Sequence, residues 1–362
     1  MMTPKQRVLA AMNQEPVDRV PVFPVVTAYF GSRVLGRKLR DMAMHQELIH
    51  EGLSALHRRF GFDGFEIGFG PPRGAQQPRT SVCDGITYLL DARGVPTARL
   101  PEDDMPVALA AKPLLENKRD LDRIPVKQAS SYVEEGYTDS VTRMVETVGQ
   151  DAFVAGVAAG QTMNSLAAWR GSDQALVDLT DDPIFVREAM ERATDISIEA
   201  GKALIQAGVD GIYIGDAWAS PSIISPAMYE RFCLPCHHRA ARAFQSLGVK
   251  VYLHICGNSE PILGLMADTG VDAVEPLDVD GGVRLERVRR AVGDRVCLKG
   301  GVSTLLLLRG TPEEVYAEST RCIEVLGPTG YILGSADDIP RDAPFENIEA
   351  LVKAGRDAFR ES

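Results

Sequence analysis

Nowhere in the 362 residues is there a run approaching the ~18 consecutive apolar residues that a membrane-crossing helix requires. The opening stretch, MMTPKQRVLAAMNQEPVDRV, has neither a long apolar core nor a small-residue cleavage pattern, so no export signal is read there. Basic residues are in the minority, 39 Lys and Arg against 50 Asp and Glu, and the net charge is −11. Phosphate recognition depends on clustered cations, so nucleic acid and anionic membrane are poor partners for this chain. Cysteine is scarce as well. Six thiols are scattered without a disulfide framework, which together with the missing export signal gives an expectation of reduced thiols in a cytoplasm. Internal repeats and low-complexity tracts are missing too. What remains is ordinary globular composition, 45% hydrophobic and 25% charged, enough for two average domains or one large α/β barrel.

The chain opens with a helix signal: Thr3 as cap, Pro4 at the first helical position, and Val8, Leu9 and Met12 on one face. Strand-like runs then alternate with amphipathic segments. The runs are VPVFPVV (20–26), GFDGFEIGF (61–69), FVAGVAAG (153–160), GIYIGD (211–216), VKVYLHIC (249–256), DAVEPLD (272–278), RVCLKGGV (295–302) and GYILGSAD (330–337). Strand–helix alternation implies right-handed crossovers and a parallel sheet. Eight such strands predict a closed (β/α)₈ TIM barrel with an N-terminal helix, a single domain over 1–362. Residues 78–128 break the rhythm with a hairpin-like stretch and a Pro- and charge-rich one, and are read as an inserted lid.

A parallel barrel carries its chemistry at the C-terminal ends of its strands. Here those ends hold Asp216, His254 with Cys256, Glu275 or Asp278, Lys299, and Asp337 with Asp338. Residues i and i+2 of a strand share a side, so His254 and Cys256 project together and offer nitrogen and sulfur to a borderline-soft ion, Zn²⁺ first. A third donor must come from elsewhere. Asp337 is the candidate, with Glu275 or Asp278 as a possible fourth. Asp216 is either a substrate-facing acceptor or a cap on the helix that follows it.

Other signals read as structural. CLPCHH (233–238) lies in a helical pattern with Cys233, Cys236 and His237 on one face, kinked at Pro235. The Lys299-Gly300-Gly301 turn suits a phosphate or simply a positive φ. Cys83, Cys297 and Cys322 have no partners at metal spacing, and His45 and His50 are expected on the solvent face of a helix.

QRVLAAMNQEPVDRVPV, ISPAMYERFCLPC (224–236), HICGN (254–258) and GYILGSADDIP followed by PFENI resemble the uroporphyrinogen decarboxylase superfamily. They are most similar to its zinc-dependent methyltransferase branch, which moves a methyl group from a methylated corrinoid protein to a thiol or another acceptor. The resemblance implies a (β/α)₈ barrel, zinc bound by the His-x-Cys pair, and a later cysteine in a Gly-Cys-Asp-Ile-Pro context. This chain reads Ala336-Asp337-Asp338-Ile339-Pro340, so Asp337 stands in the cysteine's place and makes the site harder. The decarboxylase branch is the alternative. Its arginine-bearing Met-Arg-Gln-Ala-Gly-Arg run has no counterpart in 24–40, and its Phe-Asp-Ser-Trp appears only as Gly215-Asp216-Ala217-Trp218. A third reading is a barrel that binds a tetrapyrrole or a corrinoid protein without catalysis. No Asp-x-His-x-x-Gly corrinoid signature occurs, so a methylcorrinoid would arrive on a partner protein, with a small molecule as methyl acceptor.

Overall fold

Each strand of the parallel sheet is a short run carrying β-branched or aromatic residues. The computed structural model describes residues 1–109, 112–158 and 161–359. β1 (Gly64–Ile67) precedes four antiparallel strands, β2 (Arg79–Cys83), β3 (Ile86–Leu90), β4 (Pro96–Arg99) and β5 (Val107–Ala108). Then come β6 (Phe153–Val157), β7 (Gly211–Gly215), β8 (Lys250–His254), β9 (Ala273–Leu277), β10 (Cys297–Val302) and β11 (Tyr331–Ser335). Strands β1 and β6 to β11 pair in chain order, all parallel, with helices between them. The expected run 153–160 ends as a strand at Val157, and its residues 159 and 160 lie outside the described residues.

The eighth barrel position departs from expectation. Residues 20–26 form a single parallel bridge, Val22 to Leu333, and not a regular strand. Pro21 and Pro24 have no N–H to give a ladder. The segment still spans the gap: Phe23 N–H donates to Leu333 O and Leu333 N–H to Pro21 O, each at 2.9 Å, while Asp63 N–H reaches Val22 O at 2.8 Å. The fully buried Asp63 also accepts from Arg7 Nη1 at 2.6 Å, from Arg19 Nη1 and Nη2 at 2.8 Å each, and from Val22 N–H at 2.8 Å. The sheet therefore closes into a (β/α)₈ barrel. The N-terminal helix, Pro4–Met12, is held by a reciprocal cap between Thr3 and Gln6.

The insertion is more than a hairpin. Asp84 and Gly85, at φ 50° and 77°, make the tight turn of β2–β3, and β4 and β5 extend it to a four-stranded sheet. The charged, Pro-rich sequence around β5 hides that strand. Asp103 ties the insertion to Arg341 at 3.0 Å and to Leu39 N–H at 3.1 Å. Its far end is tied by Leu115 N–H to Trp169 O at 2.8 Å and by Arg170 Nη1 to Leu115 O at 2.7 Å. The kink expected at Pro235 takes the form of a π-helical turn, Tyr229–Cys233, ahead of Leu234–Gln245. No described helix is long and apolar enough to cross a membrane.

Candidate metal centre

β8 is pinned on both sides at its tip, with Asp216 N–H bonded to His254 O and Ile255 N–H to Glu275 O, each at 2.9 Å. Cys256 lies just past the strand, and its loop is fixed by Asp278, which accepts from Gly257 N–H at 2.8 Å and Gly281 N–H at 2.7 Å. Gly257 sits at φ +77°, where a Cβ would come within 2.8 Å of Ser222 Oγ, so this turn requires glycine. Past β11, Ile339 N–H donates to Val25 O at 3.0 Å, and Asp338 accepts from Thr27 Oγ1 at 2.6 Å and Thr27 N–H at 3.1 Å. These bonds hold Asp337 over the mouth.

One donor atom each from His254, Cys256 and Asp337 lies within 4.8 Å of the other two. His254 Nε2 stands 3.9 Å from Asp337 Oδ1, while its Nδ1 is 3.1 Å from Glu275 Oε1. Asp337 is 41% exposed at its side chain and His254 only 8%, so the cluster opens to one side. Burial opposes a charge on His254, but Cys256, Glu275 and Asp337 outweigh it and raise the imidazole to about 10. Burial, with Asp337 alongside, pushes Asp338 up to about 7 against the bonds from Thr27.

Glu275, weighed as a fourth donor, is not in this cluster. It is buried behind His254, one oxygen on Nδ1 and the other on Lys299 Nζ. Burial pushes its carboxyl up, but Lys299 and His254 outweigh that and hold it low. Asp278 is outside the cluster too, each of its oxygens accepting a backbone N–H. Lys299 is not a phosphate ligand: it is buried in the barrel interior, 3.3 Å from Glu66 Oε1 and 4.3 Å above the Phe23 ring. Burial works against its charge, yet Glu275 and Glu66 keep its pKa raised. Gly300 and Gly301 hold φ +115° and +109°, which accounts for the glycines. Tyr252 Oη donates to Glu66 Oε1 at 2.9 Å and completes the layer. Sequence reasoning missed Glu66 and Tyr252. Glu66 alternates with Phe65 and Ile67, and Tyr252 precedes His254 by two, so their inward direction was readable.

Asp216, expected to face a substrate or to cap the next helix, makes no side-chain cap on the turn Ala217–Ala219 that follows it. It is fully buried and caps a different helix, Thr162–Arg170, accepting from Asn164 N–H at 2.8 Å, Met163 N–H at 3.3 Å and the Thr162 hydroxyl. Its other partner is His237 Nε2 at 3.0 Å, whose Nδ1 lies 3.2 Å from Tyr229 Oη. Burial raises the thiols of Cys233 and Cys236 and takes Cys297 and Cys322 to about 12. His50 is not on a solvent face: it lines a groove between Glu47–Phe60 and Asp139–Val148, and burial lowers its pKa.

A (β/α)₈ barrel with nitrogen, sulfur and oxygen donors converging at its C-terminal rim has the form of a rim-site enzyme. The chain belongs to the uroporphyrinogen decarboxylase (URO-D) family, whose profile matches residues 3–73 and 79–358. It is 26% identical over 356 residues, 98% of either chain, to the methylcobamide:CoM methyltransferase MtbA of Methanosarcina mazei. It is 25% identical over 373 residues, 96% of this chain and 93% of the relative, to the uroporphyrinogen decarboxylase of Coxiella burnetii. A solved methyltransferase from Methanosarcina mazei shares the fold, with a TM-score of 0.78 over 99% of both chains at 24% identity.

Proposed function

We propose that this chain transfers a methyl group from a methylated corrinoid protein to a thiol in the cytoplasm, with Zn²⁺ held by His254, Cys256 and Asp337. The observation that carries the reading is the approach of these three donors from two strands to within 4.8 Å. One nitrogen, one sulfur and one oxygen with a side open to solvent fit a catalytic zinc site, which keeps a position for substrate. When bound, zinc supplies Lewis acidity that lets an acceptor thiol bind as thiolate near neutral pH.

The chain's own residues prepare the place. Glu275 accepts the hydrogen bond from His254 Nδ1–H, which would leave Nε2 to a metal shared with Cys256 and Asp337. Tyr213 walls the site, its ring 5.2 Å from the His254 ring, and Gly215 leaves that ring its space. The insertion, anchored on both flanks of the mouth, serves as the lid over the reacting groups. The thiol proton goes to solvent and the sulfur takes the methyl carbon. Cobalt keeps the electron pair of the broken cobalt–carbon bond, and the corrinoid leaves two electrons reduced. Tetrapyrrole decarboxylation would ask the Asp216 carboxylate to meet the substrate, and that carboxylate is spent on Thr162, Met163, Asn164 and His237.

The test combines metal analysis with an absorbance assay for loss of methyl–cobalt from methylcobalamin in the presence of thiols. About one zinc per chain, as a single three-ligand site requires, and thiol-dependent loss are expected. Metal-free protein that consumes uroporphyrinogen and leaves methylcobalamin intact would overturn the proposal.

A further inference from the structure

Against His254 lies a cavity of about 360 Å³ that it and Tyr213 share with the helix Thr162–Arg170. Among the described residues that line it, none is Lys or Arg. The nearest guanidinium along the chain, Arg170, is spent on Asp178 at 2.7 Å and on the carbonyls of Leu115 and Glu116. Lys299 is buried between Glu66 and Glu275 and does not line the cavity.

Apart from His254 and the Asp216 carboxylate, what the lining offers is neutral. Gln161 commits its amide nitrogen to Ala158 O at 3.0 Å and Ser197 Oγ at 2.8 Å, which turns Oε1 the other way. The Ser165 hydroxyl, the Trp169 indole N–H and the Tyr213 phenol have no hydrogen-bond partner among the described residues. On the metal side stand carboxylates, Asp337 within the cluster and Glu275 behind His254. With a metal held by His254, Cys256 and Asp337, the ion's charge would be met by its own ligands, so an anionic head group in such a cavity would lose its hydration without gaining a free counter-charge, and would face the Asp216 carboxylate.

We infer that the methyl acceptor of this site carries no anionic group: it is a small uncharged thiol bound through hydroxyl- or amide-type hydrogen bonds. This rests on the methyltransferase reading for the chemistry but not for the binding, and the experiment separates the two.

The methylated products are titrated into zinc-loaded protein by calorimetry, 2-(methylthio)ethanol against 2-(methylthio)ethanesulfonate. The neutral thioether binds about 10-fold tighter or better, because an unpaired buried charge costs at least that much. Equal or tighter binding of the sulfonate overturns the inference, and so does binding of neither. A168R places a cation at an exposed helix position lining the cavity, where arginine is a good helix former. It shifts the preference about 10-fold toward the sulfonate, the size of one newly formed charge-assisted bond; an unchanged ratio means that this cavity is not where the head group sits. Neutral preference in binding without any demethylation of methylcobalamin would remove the methyltransferase reading and leave the charge selection standing.

Discussion

Two histidines of this barrel each lie against a buried carboxylate, and only one of them belongs to a reactive site. His254 meets Glu275 at 3.1 Å and His237 meets Asp216 at 3.0 Å. The difference is at the second ring nitrogen. That of His237 is closed by Tyr229 Oη at 3.2 Å, and Asp216 is further occupied by Thr162 and two N–H groups of a helix start. That of His254 opens toward Cys256 and Asp337. A carboxylate–imidazole pair is therefore no mark of a site. A second ring nitrogen facing other metal donors is.

Breaking the open pair gives the largest effect. His254→Ala and Cys256→Ala each reduce bound zinc from about one per chain to nearly none, since two remaining protein donors do not make a zinc site. Thiol-dependent loss of methyl–cobalt disappears with it. Circular dichroism stays that of the parent, because β8 and β9 keep their backbone pairing and Glu275 keeps Lys299 as counter-charge. Either variant with full zinc content would remove His254 and Cys256 from the ligand set. Breaking the closed pair does the reverse. Asp216→Ala strands several buried donors at about 1–3 kcal/mol each, so urea unfolding should show a loss of about 3 kcal/mol or more. The folded fraction of that variant still binds zinc. A stable Asp216→Ala protein that has lost its metal would mean the two clusters are one site.

The same comparison shows what could be read in advance. Alternation along β8 put His254 and Cys256 on one side, and the rule that barrels work at their strand ends added Asp337; both are local arguments. Asp216 ends its strand with the same signature, but its fate is decided by Thr162 and His237, 54 and 21 residues away. Lys299 was visible as a strand-end cation, yet its partner Glu66 is 233 residues upstream, and only closure of the barrel brings them together. Prolines 21 and 24 sit in an otherwise strand-like run, and their missing N–H groups explain why that segment bridges the gap without a regular ladder. What was legible depended on periodicity within an element. What was not depended on pairing across the barrel.

The smallest effect belongs to the residue that links the open site to the interior. Glu275 gives one oxygen to His254 and the other to Lys299, so it joins the metal cluster to the buried Lys299–Glu66 pair. Glu275→Gln keeps an oxygen for the Nδ1 proton but removes the charge that makes His254 a better donor and fixes its tautomer. Such outer partners are worth about 10- to 100-fold in metal affinity. Competition with a chromophoric chelator should show a weakening of that size, and Lys299 keeps Glu66 as counter-charge so the fold survives. Asp216→Asn is the matched control: it neutralises the carboxylate of the closed pair and should leave zinc affinity where it was. If both substitutions shift affinity equally, the free nitrogen of His254 is not what distinguishes the two histidines, and the contrast between the clusters fails.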